Sequence, residues 1–567
     1  MKFSEIPYER PNIANLKARM DDRIEQMEQS GSYRAAETVF LAMQKLTSAY
    51  ETAYSLVSIR HSLNTNDEFY AAEMDFFDNI GPEMEAYAQR WNRALVDNPY
   101  RDRLEMTYGK LMFRNAELAL KSFSPEIIPE CQRENALSTE YQKLIASAQI
   151  SFEGQTYTIS QMSPFKQALE DDRRLAAWKA EASFYKEHSE ELNRIYDEMV
   201  HLRDTMGKKL GYDGYTQLGY YRMGRNCYDK SDIERFRDAV RTYLVPLAAR
   251  IYQKQAERIG KSYPMNFADN ALTFRSGNPR MICSSEELLR YTKEFYHNLS
   301  PETAEFIDFM YENELLDLES RPGKAGGGYC TSLPDYRSPF VFANFNGTND
   351  DIEVVTHELG HAFANYRARK IVPLEYQWPT MEACEVHSMS MEFFGWEMAP
   401  LVFGDDTPKF LYNHLADALT FIPYGTMVDH FQHIIYEQPD LTPAERHDVW
   451  RKLLGEYMPW IKLDDEIPFY GEGQGWQRQM HIYENPFYYI DYCLAETAAL
   501  QFWTRIQQDR AAAWDTYMAY TRPAGTKTFL ELLKGAGLDS PFEEKALREI
   551  CETTSHWLDT FDLSSLK

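Results

Sequence analysis

Residues 356–363 of the chain are Thr-His-Glu-Leu-Gly-His-Ala-Phe, and this stretch decides how the rest of the sequence is interpreted. His357 and His361 are four residues apart, so on an α-helix both imidazoles lie on one face and can bind one metal ion. Glu358 lies beside that face, where its carboxylate can take a proton from a water molecule. This HExxH spacing is typical of a zinc site that performs hydrolysis. The alternative interpretation is an ordinary buried helix with two histidines on its flank.

Length and charge limit where such a site can operate. The chain has 567 residues, more than one hydrophobic core usually supports, so we expect two lobes, residues 1–200 and 201–567. The formal net charge is −27, and no basic run interleaved with aromatic residues interrupts it, which argues against nucleic acid as a partner. No apolar run approaches the roughly 20 residues of a membrane span. We therefore expect neither nucleic acid nor membrane among its partners.

The cysteines and the N-terminal residues indicate the compartment. The seven cysteines are scattered, odd in number and free of CxxC pairs, so neither a disulfide framework nor a thiolate zinc site is indicated. The first residues are polar and contain prolines where a secretion signal would be apolar. The expected location is the cytoplasm.

Apolar periodicity predicts mostly helices in the first lobe, with clear examples at residues 35–63 and 69–95. Residues 150–159 alternate apolar and polar around Gly154 and predict a short hairpin. Residues 171–210 favour helix throughout, so we expect the lobe boundary near residue 200 to be a helix joint rather than a flexible linker.

Strand and loop signals concentrate just before the histidine motif. Residues 324–332 are glycine-rich and lead into a short strand, and residues 340–345 predict a second strand, ended by the turn pair Asn346-Gly347. An edge strand here could pair with the main chain of an extended peptide, whereas an ordinary turn is the alternative. The expected peptide-binding residues are Gly326, Gly327, Gly328, Tyr329, Phe342 and Ala343. Asp350 and Glu353 form a capping pattern, which predicts that the motif helix begins at Asp351.

A catalytic zinc needs a third protein ligand and an open position for water. Residues 381–394 follow two prolines and predict a new helix, which offers Glu382, Glu385 and His387 as ligands. Glu385 and Glu392 are seven residues apart and share a helix face, so one can bind the metal while the other supports a histidine ring.

The motif, followed by Glu385-Val386-His387-Ser388 and then Glu392, resembles the thimet oligopeptidase and oligoendopeptidase F family of zinc peptidases, and oligoendopeptidase F most closely. The resemblance implies one zinc ion per chain, bound by His357, His361 and Glu385, with Glu392 behind a histidine. It covers roughly residues 200–560. It departs at Ala364, where many family members carry a further histidine.

Residues 476–492 resemble the C-terminal histidine and tyrosine loop of that family, whose side chains face the scissile carbonyl. The resemblance implies that His481 and two tyrosines are catalytic. We favour Tyr489 and Tyr492, because their i, i+3 spacing puts both on one helix face, and assign Tyr488 to substrate binding. The spacing from His481 differs slightly from thimet-type sequences, so the choice among the three tyrosines stays open.

The resemblance implies a mainly α, two-lobed zincin-type metallopeptidase with a small β element beside the zinc helix and a deep channel that admits short peptides. Glu358 is expected to be the general base and then the acid in endopeptidase action. A related zinc exopeptidase is one alternative. A non-catalytic helical peptide-binding protein with a structural zinc is another, although structural sites usually have four protein ligands and only three are found.

Overall fold

A computed structural model describes residues 1–321, 323–463 and 467–563. Most of these residues are helical, which confirms the predicted mainly α fold. The helices are α1 Ile13–Glu28, α2 Tyr33–Leu63, α3 Glu68–Val96, α4 Arg101–Tyr108, α5 Lys110–Ser122, α6 Ile128–Ala146, α7 Ser163–Lys166, α8 Asp171–Glu187, α9 Ser189–Lys209, α10 Tyr215–Arg222, α11 Lys230–Ala239, α12 Val245–Ile259, α13 Ser285–Leu299, α14 Pro301–Glu312, α15 Asp350–Ala368, α16 Met381–Phe394, α17 Ala399–Phe403, α18 Thr407–Glu437, α19 Pro443–Tyr457, α20 Met480–Glu484, α21 Tyr489–Gln508, α22 Arg510–Thr521, α23 Phe529–Gly535 and α24 Glu544–Thr560. A π-helical turn, Val240–Leu244, joins α11 to α12.

The strands are short and form three small sheets within the described residues. They are β1 Ile150–Phe152, β2 Gln155–Tyr157, β3 Met265–Asn266, β4 Leu316–Glu319, β5 Tyr329–Leu333, β6 Ser338–Phe345 and β7 Ile461–Lys462. The predicted hairpin at residues 150–159 is confirmed, since β1 and β2 pair antiparallel and the turn residues Glu153 and Gly154 have positive φ.

The two helices predicted most clearly in the first lobe match α2 and α3 to within two residues at each end. Each begins where a side chain caps it: Ser32 accepts a hydrogen bond from the Ala35 N–H, and Asp67 accepts from the N–H groups of Phe69 and Tyr70. The local sequence therefore determines these boundaries.

The hydrophobic core of the described residues consists of one large cluster, one smaller cluster and a minor group of Ala256, Ile259 and Met265. The smaller cluster is built from α1 to α5 together with Tyr376, whereas the large cluster draws on the chain from Phe3 to Leu558. Helix α9 passes through residue 200 without a break and contributes Ile195 and Met199 to the large cluster. The lobe boundary at residue 200 stays a prediction, and a break near the end of α5 fits the packing better.

A three-stranded sheet lies beside α15, as the sequence predicts, in the order β4-β6-β5. The two predicted strands are β5 and β6, which pair antiparallel. Strand β4 was not predicted from the sequence; it pairs parallel to β6 on the side away from β5. Strand β6 is therefore central, and β5 is an edge strand among the described residues.

The position of β6 corrects the expectation that Phe342 and Ala343 bind a peptide main chain. Within the sheet, Phe342 is the register partner of Tyr329 in β5 and of Asp317 in β4. The Ala343 carbonyl accepts a hydrogen bond from the Lys324 ammonium. Both side chains are fully buried. Their main chain lies in the central strand, which is paired on both sides, so a peptide could pair only with an edge strand such as β5.

Helix α15 begins at Asp350, one residue earlier than predicted. The prediction that Asp350 caps this helix is wrong, because Asp350 is its first residue. The residue before it, Asn349, makes no side-chain cap, and the Asp351 carboxylate instead accepts from the N–H groups of Asn346 and Gly347 at 3.2 and 2.9 Å. The acidic first turn still complements the helix dipole.

Gly360 allows α15 and α16 to pack closely. A Cβ at this position would lie 2.7 Å from the His387 carbonyl oxygen and 2.8 Å from the Ser388 Cα, closer than real atoms approach. The glycine inside the HELGH motif thus brings the second helix against the first. Separately, no helix in the described part of the chain is both long and apolar enough to cross a membrane.

Candidate metal centre and active site

Three side chains from α15 and α16 converge at one point. Glu385 Oε2 lies 3.3 Å from His357 Nε2 and 3.4 Å from His361 Nε2, and the three candidate ligand atoms lie within 4.8 Å of one another. Although Glu385 is buried, the two adjacent imidazoles lower its pKa well below the usual range, so it is a carboxylate. Two imidazoles and one carboxylate form a donor set that suits zinc and can leave a coordination position open.

Glu392 holds the first of these histidines from behind, as the sequence predicts. Its Oε1 lies 2.7 Å from His357 Nδ1, and its Oε2 lies 3.0 Å from Nε2 of His414, on α18. Trp396 Nε1 donates to His414 Nδ1 at 2.8 Å, so His414 donates through Nε2 to Glu392. This chain of hydrogen bonds leaves Nε2 of His357 directed at the metal position.

Glu358 lies beside the three ligands, with 8% of its surface exposed. Burial raises its pKa above the usual range, and its Oε2 has no hydrogen-bond partner in the described structure. Such a carboxylate can accept a proton from water more readily than a surface glutamate. The metal wall, as we call it, comprises His357, Glu358, His361, Glu385 and Glu392.

The glycine-rich segment passes next to Glu358. A Cβ on Gly328 would lie 3.4 Å from Glu358 Oε1, so the loop runs past the carboxylate at contact distance. Lys324 and Asn344 fix this loop to the sheet: Asn344 Nδ2 donates to the carbonyls of Ala325 and Gly327 at 2.7 and 2.9 Å. Tyr329 stacks on Phe342 with ring centroids 4.8 Å apart, which orients the start of edge strand β5.

His481, Tyr488 and Tyr492 lie next to one another and adjoin Glu385, and we call these three residues the aromatic wall. The ring centroid of Tyr492 lies 4.8 Å from that of Tyr488 and 5.8 Å from that of His481. The Tyr488 hydroxyl donates to Glu385 Oε1 at 2.7 Å, which joins this wall to the metal wall.

The tautomer of His481 follows from a relay of hydrogen bonds. Tyr424 donates its hydroxyl proton to Gln479 Oε1 at 2.9 Å, which leaves Gln479 Nε2 to donate to His481 Nδ1 at 2.8 Å. Burial lowers the His481 pKa to about 4, so the ring is neutral near pH 7. Its single N–H is then on Nε2 and can donate.

The structure distinguishes the three tyrosines by their contacts, and the choice among them stays a prediction. Tyr489 begins α21; its ring centroid lies 5.0 Å from that of His481, and 5.7 and 5.8 Å from those of Phe421 and Tyr424. Tyr488 precedes the helix and shares the site-facing side with Tyr492, four residues on. An i, i+3 pair and an i, i+4 pair are equally compatible with one helix face, so spacing alone could not choose between them.

Two residues that support the site were not predicted from the sequence. His414 reaches Glu392 from α18, and Gln479 bonds with His481 two residues further along the chain. His387, one of the three ligand candidates on α16, turns away from the metal position; burial lowers its pKa to about 3. Glu382, another candidate, bonds instead with the Thr380 hydroxyl at 2.8 Å.

Two histidines and a glutamate that converge within a helical fold are typical of metal-dependent hydrolases. Comparison with known proteins agrees. The family profile described as Peptidase family M3 matches residues 294–552, and the profile of the Peptidase M3 N-terminal domain matches residues 3–123. The chain belongs to peptidase family M3.

Solved structures and curated relatives give the same result. An X-ray structure of a candidate oligoendopeptidase F is 45% identical, with a TM-score of 0.96 and full coverage of both chains. PZ peptidase A, solved with an inhibitor, is 43% identical, with a TM-score of 0.95, and the match covers 99% of this chain and 100% of that one. Oligopeptidase PepF of Bacillus subtilis (strain 168) is 24% identical over 292 residues, half of this chain and 42% of the relative. The matched region thus spans less than half the length of that curated relative.

Proposed function

We propose that the protein is a zinc-dependent endopeptidase that hydrolyses internal bonds of short peptides. The observation that carries the proposal is the convergence of His357, His361 and Glu385, with Glu358 buried next to them. The roles below are assigned from this geometry and from membership of the family.

Zinc in such a three-ligand site supplies Lewis acidity that makes water acidic near pH 7 and polarises a carbonyl. The residues of the chain then perform the proton transfers. Glu358 takes a proton from the attacking water through its unpaired Oε2 and delivers it to the departing amine. Its burial-raised pKa favours both the uptake of the proton and its temporary retention.

The aromatic wall is placed to stabilise the negative charge that develops on the peptide carbonyl oxygen. His481 is a neutral donor, and Tyr488 and Tyr492 are protonated phenols whose pKa values burial raises further. A neutral donor aimed at a developing oxyanion contributes without having to be deprotonated first. We assign His481 and Tyr488 as the main donors, with Tyr492 next to them. The Tyr488 hydroxyl, whose one proton bonds with Glu385 Oε1 in the free site, would turn to the carbonyl oxygen as the charge develops.

The substrate main chain is proposed to pair with edge strand β5, starting at Tyr329, and to pass Gly326, Gly327 and Gly328. The absence of a side chain at Gly328 lets a peptide approach Glu358 closely. Glu385 is 4% exposed and Glu358 8%, so the catalytic groups are reached by an extended chain more readily than by a folded surface. We therefore propose short peptides as substrates. All seven cysteines are free, which fits the cytoplasm as the proposed location.

The test uses the purified chain, one nonapeptide and mass spectrometry of the products. We expect internal cleavage that a zinc chelator abolishes and added zinc restores. Release of single residues or dipeptides from one end would instead indicate the exopeptidase alternative. No hydrolysis by a zinc-loaded, folded protein would contradict the proposal.

The Glu358→Gln variant tests the assigned base separately. Glutamine keeps the shape but cannot accept the proton, so we expect normal zinc content and at least a ~1,000-fold loss in kcat. Glu397→Gln, on the surface and away from the site, is the matched control and should retain full activity. Near-normal turnover by Glu358→Gln would remove the general-base assignment.

A further inference from the structure

The residue before Tyr488 has an unusual backbone conformation. Phe487 has φ of +69°, in the left-handed region that residues other than glycine rarely adopt. Its side chain is fully buried. A conformation of this kind persists only where the surrounding structure holds it, and such positions concentrate at functional sites.

Two buried side chains hold the main chain of Phe487. Its N–H donates to Gln432 Oε1 at 2.9 Å, and its carbonyl accepts from Arg225 Nη2. Gln432 comes from α18, and Arg225 from the segment after α10. Both polar groups of this residue are therefore bound by side chains distant in sequence rather than by a helix.

Both holding side chains are themselves fixed. Gln432 Nε2 donates to the Val428 carbonyl at 3.3 Å, so its Oε1 faces Phe487. The Arg225 guanidinium lies 4.1 Å from the centroid of the Tyr220 ring and also contacts Asp491 Oδ1 at 3.3 Å. Asp491 lies in the first turn of α21 and accepts from the Tyr228 hydroxyl at 3.2 Å.

The ring of Phe487 is tightly packed. It packs between Tyr220, His433 and Tyr436, with centroid distances of 5.5, 4.7 and 5.4 Å. A Cβ on Gly219 would come within 2.7 Å of this ring. The ring and both ends of the main chain are thus held together.

We propose that Gln432 and Arg225 are positioning residues that set Tyr488 against Glu385 by holding Phe487 in its left-handed conformation. Tyr488 precedes the first residue of α21; its carbonyl accepts from the Asp491 N–H at 2.9 Å, and its N–H donates to the Asn485 carbonyl at 3.1 Å. Because the left-handed turn at Phe487 sets how the chain enters this first turn, it also sets the direction in which the Tyr488 hydroxyl reaches Glu385 Oε1, 2.7 Å away. The catalytic consequence rests on the proposed function, whereas the placement of Tyr488 does not.

The first experiment is a double-mutant cycle with Gln432→Leu and Tyr488→Phe, measured as kcat and KM on the nonapeptide. Leucine removes the acceptor for the Phe487 N–H at similar volume. We expect Gln432→Leu to lower kcat by about 10- to 100-fold, with little change in KM or zinc content, because a displacement near 1 Å is enough for such a loss. In the Tyr488→Phe background the same substitution should have almost no further effect on kcat.

Two further variants separate positioning from general damage. Gln432→Glu keeps an acceptor oxygen and should restore most of the activity. Met427→Leu changes another buried residue of α18 and should leave kcat unchanged. If the effects of Gln432→Leu and Tyr488→Phe simply add, Gln432 acts through the fold in general and the inference is overturned.

The second experiment does not depend on activity. A crystal structure of Gln432→Leu should show Tyr488 Oη displaced by about 1 Å or more from its place beside Glu385. An unchanged Tyr488 would overturn the inference even if turnover fell. An inactive wild-type protein would contradict the proposed function instead, and the crystal structure would still decide the role of Gln432. Arg225→Lys is included, but the conclusion does not depend on it, because a change at a buried arginine can prevent folding.

Discussion

The metal wall and the aromatic wall meet where Tyr488 bonds with Glu385, but they are built in different ways. Every ligand of the metal wall lies on α15 or α16, and its spacing follows from helix geometry and from Gly360 between the helices. The aromatic wall spans a short helix, a turn and the start of α21, and residues from other parts of the chain hold it. Phe487, for example, bonds with Gln432 and Arg225, 55 and 262 positions away in sequence.

The two walls meet different geometric requirements, and each is supported in the way that its requirement needs. A metal site requires fixed ligand distances, and a pair of packed helices provides them with few other contacts. Donors to a developing charge require fixed direction, and we propose that the turn at Phe487 and the buried polar groups around it provide this direction. Substitutions in the metal wall should therefore lower the metal content, whereas substitutions in the aromatic wall should lower turnover and leave the metal bound.

The largest effect is expected from Glu385→Ala. Removal of the carboxylate leaves two imidazoles, which bind zinc weakly, so we expect metal content below about one tenth of an ion per chain and at least a ~1,000-fold loss of turnover. Inductively coupled plasma spectrometry of the dialysed protein measures the zinc. Full occupancy in this variant would show that Glu385 is not a ligand.

A smaller loss, confined to turnover, is expected from Tyr488→Phe. Loss of one donor to the oxyanion typically costs about 100- to 1,000-fold in kcat, and zinc should remain bound because no ligand is lost. Tyr489→Phe is the matched control: its ring packs against Phe421 and Tyr424, and we expect less than about a threefold change. A larger loss from Tyr489→Phe than from Tyr488→Phe would return the assignment to our original preference.

The same contrast explains what the sequence could predict. Helix α16, the hairpin of β5 and β6, and the place of Glu392 behind a histidine all follow from local periodicity and motif spacing. The convergence of His357, His361 and Glu385 agrees with the ligand set that the family resemblance implies, whereas the pattern of α16 alone leaves Glu382, Glu385 and His387 open.

Other features depend on tertiary packing and could not be predicted locally. Strand β4 is short and its pairing with β6 is a long-range event, so the central position of Phe342 was missed. His414 reaches Glu392 from another helix, and Phe487 adopts a left-handed conformation just before Tyr488. Nothing in the spacing of these residues indicates these contacts.

Within the metal wall, Glu392→Gln tests the support behind the ligands and should have a more modest effect. Glutamine can bond with only one of the two rings in the same way, so His357 loses part of its orientation and basicity. Changes of this kind typically weaken metal affinity by about 10- to 100-fold. Competition with a chromogenic zinc chelator measures the affinity, and Glu397→Gln again serves as the control. An unchanged affinity would show that the hydrogen bond of Glu392 to His357 does not stabilise the bound metal.

The smallest effect is expected in the pH dependence of the free energy of unfolding, through His481 of the aromatic wall. His481 is neutral when folded, with a pKa of about 4, but takes up a proton near pH 6.5 when unfolded. The unfolded state therefore binds more protons between these values, and the free energy of unfolding falls as the pH decreases from about 6.5 toward 4. Each such histidine contributes at most about 1.4 kcal/mol per pH unit.

Urea denaturation at pH 7 and pH 5 measures this contribution. Between these pH values the free energy of unfolding should fall by about 1 to 2 kcal/mol more for the wild type than for His481→Gln. Equal losses would mean that His481 titrates in the folded protein as it does in water, and it would then no longer be a fixed neutral donor in the aromatic wall.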